Sequence, residues 1–415
     1  MWDARARALN GRAGKPLRTH MTMAAEQPIA LEVADFVAGP FCGKLLSGLG
    51  FTVVKVQPPP HVTGGRHEKP QELLRYPEPP SVGLYLNIGK LSVTLDIEKP
   101  EGARVFADMA RRASVIVEDK APGYMAGLGL SHADLARVNP RLVVLSLTPF
   151  GQTGPYSKYK SYYLNTYHSG GDGFLQGDST PTKGPGYMGE YQAGVNAAIA
   201  AMAAYYNARL TGQGQHVDVS KQEALMFTNR ALVAAYMNIG ILETRKTRAF
   251  AYGGRFRCKD GDVIIVAIEN AQWAGLTEVI GHPEIAKDER FKDFASRSAN
   301  SKEIRQLVEA WASTVTCDEA YRQTQAKRIP IGIFHDVGKA MAWPHFLERG
   351  FFQPIVNAGN KSLVGPTWPM HSSEVPRWPG PGRVSTPGEH NERIYGEWLD
   401  YNPNDLTRLA QAGVI

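Results

Sequence analysis

The sequence predicts an α/β protein: a doubly wound parallel sheet in a large domain, joined to a smaller α+β domain. Two patterns carry this reading. Short apolar runs alternate with helical stretches across residues 29–147, and a hairpin signal near residue 257 then opens a different arrangement. Size supports it, because 415 residues exceed what one simple core accommodates.

Ile29–Val33 reads as a strand, and Gly39-Pro40 punctuates the chain before a helix, Phe41–Ser47, that Gly48 and Gly50 end. Phe51–Val56 follows as a second strand. Strand, helix, strand in that order is a βαβ unit, which pairs its strands in parallel through a right-handed crossover. The pattern recurs with strand Leu91–Leu95, helix Glu101–Arg112, strand Ser114–Val117, helix Ser131–Val138 and a buried strand, Leu142–Leu147.

Between Gly151 and Gly189 the chain becomes rich in Gly, Tyr, Ser and Pro, with no sustained period. A stretch this long without structure is usually functional or disordered, and its tyrosines, Tyr156 to Tyr187, argue for order. A small-residue helix, Tyr191–Tyr206, resumes the pattern. Near Tyr252 a second unit begins, with a hairpin turn at Arg257–Gly261, a strand at Val263–Ala267 and helices containing Trp273 and Val308. The closing segment is Pro-rich and ends in a helix, Asn404–Ala412. The expected division is a basic tail (1–24), a large domain (25–230), a small domain with linkers (231–355) and a segment returning to the large domain (356–415).

The net charge of +6 hints at nucleic acid, but Arg5, Arg7, Arg12, Lys15 and Arg18 stand against Asp3 alone in the first 20 residues. The tail therefore holds +4, and the +2 left for the body is no footprint for DNA or RNA. That tail reads as an extension before Met21 or Met23, with a transit peptide as the alternative. No apolar run reaches the roughly 20 residues that span a bilayer. Cys42, Cys258 and Cys317 lack the spacing of a disulfide framework or metal knuckle, so a reducing cytoplasm is expected. His168, His216 and His335 have no partner at metal-ligand spacing, and no metal is expected. There is no P-loop, GxGxxG, nucleophile-elbow serine or HExxH.

The informative signal is a set of blocks in order. Asp35-Phe-Val-Ala-Gly-Pro40 leads to Gly48-Leu-Gly-Phe-Thr-Val-Val-Lys-Val56; Asn87-Ile-Gly-Lys90 is followed by Ser92 to Asp96, and Glu118 to Gly123 by Asn139-Pro-Arg-Leu142. Gly151-Gln-Thr-Gly-Pro-Tyr156, Thr211 to Val219 with Gln222-Glu-Ala224, and Val384 to His390 complete the series. Together they resemble the class III CoA-transferases (CaiB/BaiF-like) from about residue 29 to the C-terminus. The resemblance implies a Rossmann-like large domain, a smaller domain and an interlocked dimer. It also implies covalent transfer: an enzyme carboxylate attacks an acyl-CoA thioester, and CoA is then passed through an enzyme thioester to an acceptor acid. CoA and acyl-CoA are substrates, with no permanently bound cofactor.

In the family the nucleophile is an aspartate in a G-D-x-x-x-G setting; here Gly189-Glu-Tyr-Gln-Ala-Gly194 places Glu190 there. The same resemblance makes Val37, Ala38, Asn87, Lys90 and Lys160 the expected CoA contacts. Pro58 and Gly127 replace family arginines, Gly89-Lys-Leu-Ser92 replaces Asn-Lys-Arg-Ser, and Asp119 replaces the asparagine of E-N-F. Losing several cations together weakens a phosphate grip. The first expectation is therefore a degenerate-site subunit paired with a homologous catalytic chain, as in heteromeric members such as benzylsuccinate CoA-transferase. The alternatives are a homodimer using Glu190 and a non-enzymatic scaffold. An acyl-CoA such as succinyl-CoA is the expected donor; the tyrosine-rich loop Tyr156 to Tyr167 either makes room for an apolar or aryl-bearing acceptor, such as an aryl-substituted succinate, or packs the interlocked interface. Racemase chemistry is disfavoured, since Tyr162 and Tyr163 stand where its histidine is expected.

Overall fold

A computed structural model describes residues 27–59, 80–177, 180–245, 251–356, 362–373 and 382–415, so the basic tail of residues 1–24 lies outside the described residues. The strands β1 (Ile29–Val33), β2 (Thr52–Gln57), β3 (Leu91–Thr94), β4 (Val115–Glu118), β5 (Val143–Thr148) and β6 (His216–Ser220) form one sheet. Its order is β3-β2-β1-β4-β5-β6, and every neighbouring pair is parallel. All six residues of β5 are buried, as expected where helices cover both faces of a parallel sheet.

The helices used below are α1 (Ala38–Gly48), α2 (Pro80–Asn87), α3 (Pro100–Ala110), α4 (Tyr163–Ser169), α5 (Met188–Thr211), α6 (Lys221–Thr228) and α7 (Arg230–Ile239). On one face of the sheet, Leu31, Val54 and Ile116 pack against Val105, Phe106 and Met109 of α3. On the other, Ala30, Val53 and Val117 meet α1 and the alanine stripe Ala193, Ala197, Ala201 and Ala204 of α5. Small side chains let α5 lie close to α1: a Cβ on Gly194 would stand 2.7 Å from the Ala38 carbonyl oxygen. The long periodless stretch of the sequence contains α4, and the helix expected at Ser131–Val138 is only a turn, His132–Leu135. Asn139 ends that turn by donating its side-chain amide to the carbonyls of Ala110 (2.9 Å) and Ala113 (2.7 Å), which ties it to the end of α3.

The smaller unit has an antiparallel sheet of β7 (Gly254–Arg257), β8 (Asp262–Ile265) and β9 (Ile331–Ile333). Its own core contains Trp273, Phe291 and Val308. A third sheet, β10 (Phe352–Val356), β11 (Ser362–Pro366) and β12 (Gly382–Arg383), packs Ile355 against Ile88 and Trp368. The closing segment then runs along β3. Asn391 Oδ1 accepts the Thr94 N–H at 2.9 Å, His390 Nδ1 accepts that of Ser92 at 3.1 Å, and Tyr395 donates its hydroxyl to the Thr94 carbonyl at 2.8 Å. The open edge of an outer strand is thereby occupied.

A buried cluster of charges lies under α1. Glu32 of β1, fully buried, accepts hydrogen bonds from Lys90 (2.6 Å) and from Lys55 of β2 (3.0 Å). Lys90 also donates to the Pro40 carbonyl at 2.8 Å, and Lys55 to that of Ala34 at 2.9 Å. A side chain at Gly43 would overlap the Glu32 carboxylate, so α1 passes over this knot only with glycine there. Next on α1, buried Lys44 donates to the Tyr85 carbonyl at 2.7 Å and lies 3.8 Å from the centre of that ring.

Burial, then repulsion from Lys90, pulls the Lys44 amine down to about 6. From pH 6 up to the ordinary lysine value near 10.5, the unfolded chain holds a proton that the folded chain lacks. Stability should rise with pH across that window. Lys44→Met should remove the slope between pH 6 and 8, above which Lys90, pulled down by burial to about 8, adds a slope of the same sign, and should raise stability at pH 7 by about 1–3 kcal/mol, with the gain shrinking towards pH 10. Urea unfolding at a series of pH values measures this, and a variant with the unchanged slope would refute the assignment.

Candidate active site

Strand order reverses between β1 and β4, so the loops leaving their carboxyl ends diverge and open a crevice. A cavity of ≈ 350 Å³ occupies it, lined by Asp35 and Phe36 after β1, Asp119 and Lys120 after β4, and Glu190 and Lys221 from α5 and α6. Its rim is shaped by Asp119, whose carboxylate accepts the backbone N–H groups of Asp35 (3.0 Å) and Phe36 (3.3 Å). Lys120 pairs with Asp35 from the same loop.

Glu190 lies in the first turn of α5, 2% exposed. It does not cap the helix: Tyr187 is the N-cap residue and makes no side-chain cap, and Glu190 Oε2 accepts from Lys221 Nζ at 2.8 Å. Among the described residues that is the one hydrogen bond made by this carboxylate, which leaves Oε1 to the cavity.

Lys221 comes from the opposite wall, as the first residue of α6 directly after β6. Ser220 caps that helix by accepting the Glu223 N–H at 3.2 Å, and Gln222 N–H reaches the Pro149 carbonyl at 3.1 Å. The side chain, 10% exposed, is thus set by β6, with its ammonium 5.6 Å from the Phe36 ring centre. Phe36, Tyr162 and Tyr163 give the cavity an aromatic wall, and Tyr187 packs edge-on against Phe36 (5.5 Å) and Tyr163 (5.1 Å). Below the rim, burial pushes the Glu118 carboxyl up to about 7, against the pull of its Ser146 hydrogen bond.

The residues expected at the site divide. Glu190 lines the cavity. Val37 and Ala38 form the buried start of α1, immediately after Phe36. Lys160 is exposed on the loop, one residue before cavity-lining Ser161. Lys90 stands apart, its side chain 1% exposed and its ammonium held by Glu32, with Asn87 Oδ1 at 3.4 Å. Pro58 borders a second, smaller hollow of ≈ 40 Å³ with Val33, Asp96 and Tyr124. Lys221 escaped the sequence reading altogether, although a lysine at the first position of a helix leaving a buried strand was a usable signal. Among the described residues no cluster could hold a metal ion, and no helix is long and apolar enough to cross a membrane.

A Rossmann-ordered sheet with a buried carboxylate at its switch point is the arrangement in which α/β proteins hold a ligand across the crevice. Residues 28–391 match CoA-transferase family III, and the chain belongs to that family. It is 30% identical over 404 residues to the succinyl-CoA–L-malate CoA-transferase beta subunit of Chloroflexus aurantiacus, covering 93% of this chain and 96% of that one. It is 28% identical over 399 residues to succinyl-CoA–D-citramalate CoA-transferase of the same organism, with 93% and 96% covered. The crystal structure of a CaiB/BaiF family protein from Brucella suis superposes with a TM-score of 0.73 at 26% identity, covering 89% of this chain and 98% of that one.

Asp119→Ala should cost about 1–2 kcal/mol through the two unmet N–H groups at the start of α1, whereas Asp119→Asn, which keeps an acceptor, should cost less than half of that. Guanidinium unfolding compares the two, and equal losses would show that the rim does not depend on these hydrogen bonds.

Proposed function

We propose that this chain is a working class III CoA-transferase subunit in which Glu190 carries the acyl group and CoA in turn. Glu190 Oε1 attacks the thioester carbonyl, the C–S bond breaks and CoA leaves as thiolate, giving a mixed anhydride. The thiolate attacks the Glu190 carbonyl and expels the donor acid as a carboxylate. The acceptor carboxylate then attacks this enzyme thioester, freeing the thiolate again; attack of the thiolate on the acceptor's carbonyl releases the new acyl-CoA and restores Glu190.

The observation that carries this reading is the buried ion pair. A buried pair seldom stabilises a fold better than apolar residues of similar volume, so a carboxylate kept at 2% exposure with one oxygen facing a cavity is best explained by use. Succinyl-CoA as donor is suggested by the names of the Chloroflexus relatives. The Phe36, Tyr162 and Tyr163 wall suits an apolar or aryl-bearing acceptor acid, such as an aryl-substituted succinate. The chain works in an interlocked pair with itself or a homologous chain. Ile199, Tyr206 and Leu210 of α5, Phe227 of α6 and Met237 of α7 are each more than half exposed, an apolar area that calls for a partner.

A second reading has its own support. Each cation lining the cavity is already paired with an acid, Lys120 with Asp35 and Lys221 with Glu190, which leaves little to grip phosphates among the described residues. Relatives include both an alpha and a beta subunit of one enzyme, so this chain could be the silent half of a heteromer. The purified chain alone decides between the two. Under the proposed reading it exchanges CoA between succinyl-CoA and an acceptor acid, and Glu190→Gln lowers turnover by about 10³-fold or more. Turnover that appears only with a homologous partner, and that survives Glu190→Gln, would favour the silent subunit.

A further inference from the structure

The Glu190–Lys221 pair has a consequence that depends on the state of Glu190. While Glu190 is ionised, its charge and that of Lys221 cancel at 2.8 Å in a nearly dry place. In the anhydride and in the enzyme thioester, Glu190 is neutral. Lys221 is then a buried ammonium without a counter-charge. Among the described residues its remaining contact is the Phe36 ring, 5.6 Å away, and the other acids of the cavity are engaged, Asp35 by Lys120 and Asp119 by two backbone N–H groups. In the anhydride the anion released beside Lys221 is the CoA thiolate; in the enzyme thioester it is the free acid, leaving as donor or arriving as acceptor.

We propose that Lys221 is the residue that receives the carboxylate of the free acid, and that it does so only when Glu190 is uncharged. Before acylation a second carboxylate beside Glu190 is repelled, so the free acid does not obstruct the acyl-CoA. Once the enzyme thioester has formed, the same ammonium draws the acid to within reach of it. Charge on one side chain thereby sets the order of events, and Lys221 selects for carboxylates. This rests on Glu190 being the group that is acylated, but the binding step can be measured without turnover.

Glu190→Gln imitates the uncharged state, and isothermal titration of the purified chain with succinate reads the result. The variant should bind succinate at least ten-fold more tightly than the unsubstituted chain, and the gain should fade with added salt. Glu190→Gln combined with Lys221→Met should lose the gain, whereas Glu190→Gln with Lys221→Arg should keep most of it. Glu190→Ala, which removes the charge and opens space, must show the same gain and serves if the glutamine variant folds poorly. Butyrate, with one carboxylate on a body of similar length, should also gain from loss of the Glu190 charge, whereas the neutral succinamide should not. Equal affinities of the Glu190→Gln and unsubstituted chains, or a gain that persists without Lys221, would overturn the proposal. A failure of Glu190 to turn over acyl-CoA would leave these binding results unchanged, which separates the two ideas.

Discussion

The fully buried carboxylate of Glu32 holds the large domain in register. Lys55 of β2 and Lys90 ahead of β3 both donate to it, and each also donates to a carbonyl at the β1–α1 junction, Ala34 or Pro40. One anion thus fixes where β1 ends and α1 begins, and that junction is one wall of the crevice. Removing it would strand two cations in the core, a loss of about 3–5 kcal/mol on the usual scale for broken buried pairs. Gly43 is the geometrical condition for this arrangement, because α1 must pass directly over the carboxylate.

The crevice repeats the same physics with a different outcome. At Glu32 both oxygens are engaged, so the group is structural. At Glu190 a single lysine engages one oxygen and the other faces a cavity, so the group is held but available. Burial makes each charge costly to leave unmatched, and this is what couples Lys221 to the chemical state of Glu190. Asp119 also changes meaning in the fold. Read beside a phosphate it is an unwelcome charge; in place, it satisfies two backbone donors at the start of α1 and shapes the rim.

Much of the large domain was legible because β-branched runs separated by glycine are unambiguous: β1 to β5 lie within a residue of the strands read from the sequence, whereas β6 (His216–Ser220), a short run alternating with polar residues, was not read as a strand. The helix at residues 131–138 was overestimated, since a Ser cap and following polar residues look alike for one turn or two, and Asn139 decides the matter through contacts 26 and 29 residues away. Glu190 was found by resemblance. Lys90 was noticed, but its task was not, because the partner Glu32 lies 58 residues earlier inside an apolar strand. That acid was itself a signal: a carboxylate in a buried run requires a cation, and only the fold says which. Lys221 was passed over for the same reason, its partner being 31 residues away on another helix.

The central claim is that Glu190 becomes covalently loaded. Peptide mass spectrometry of the purified chain, quenched in acid during incubation with succinyl-CoA, tests it most directly. A CoA or succinyl adduct mapped to the peptide containing Glu190, and lost on treatment with hydroxylamine, is the predicted result. An unmodified Glu190 peptide while CoA transfer proceeds would contradict the account.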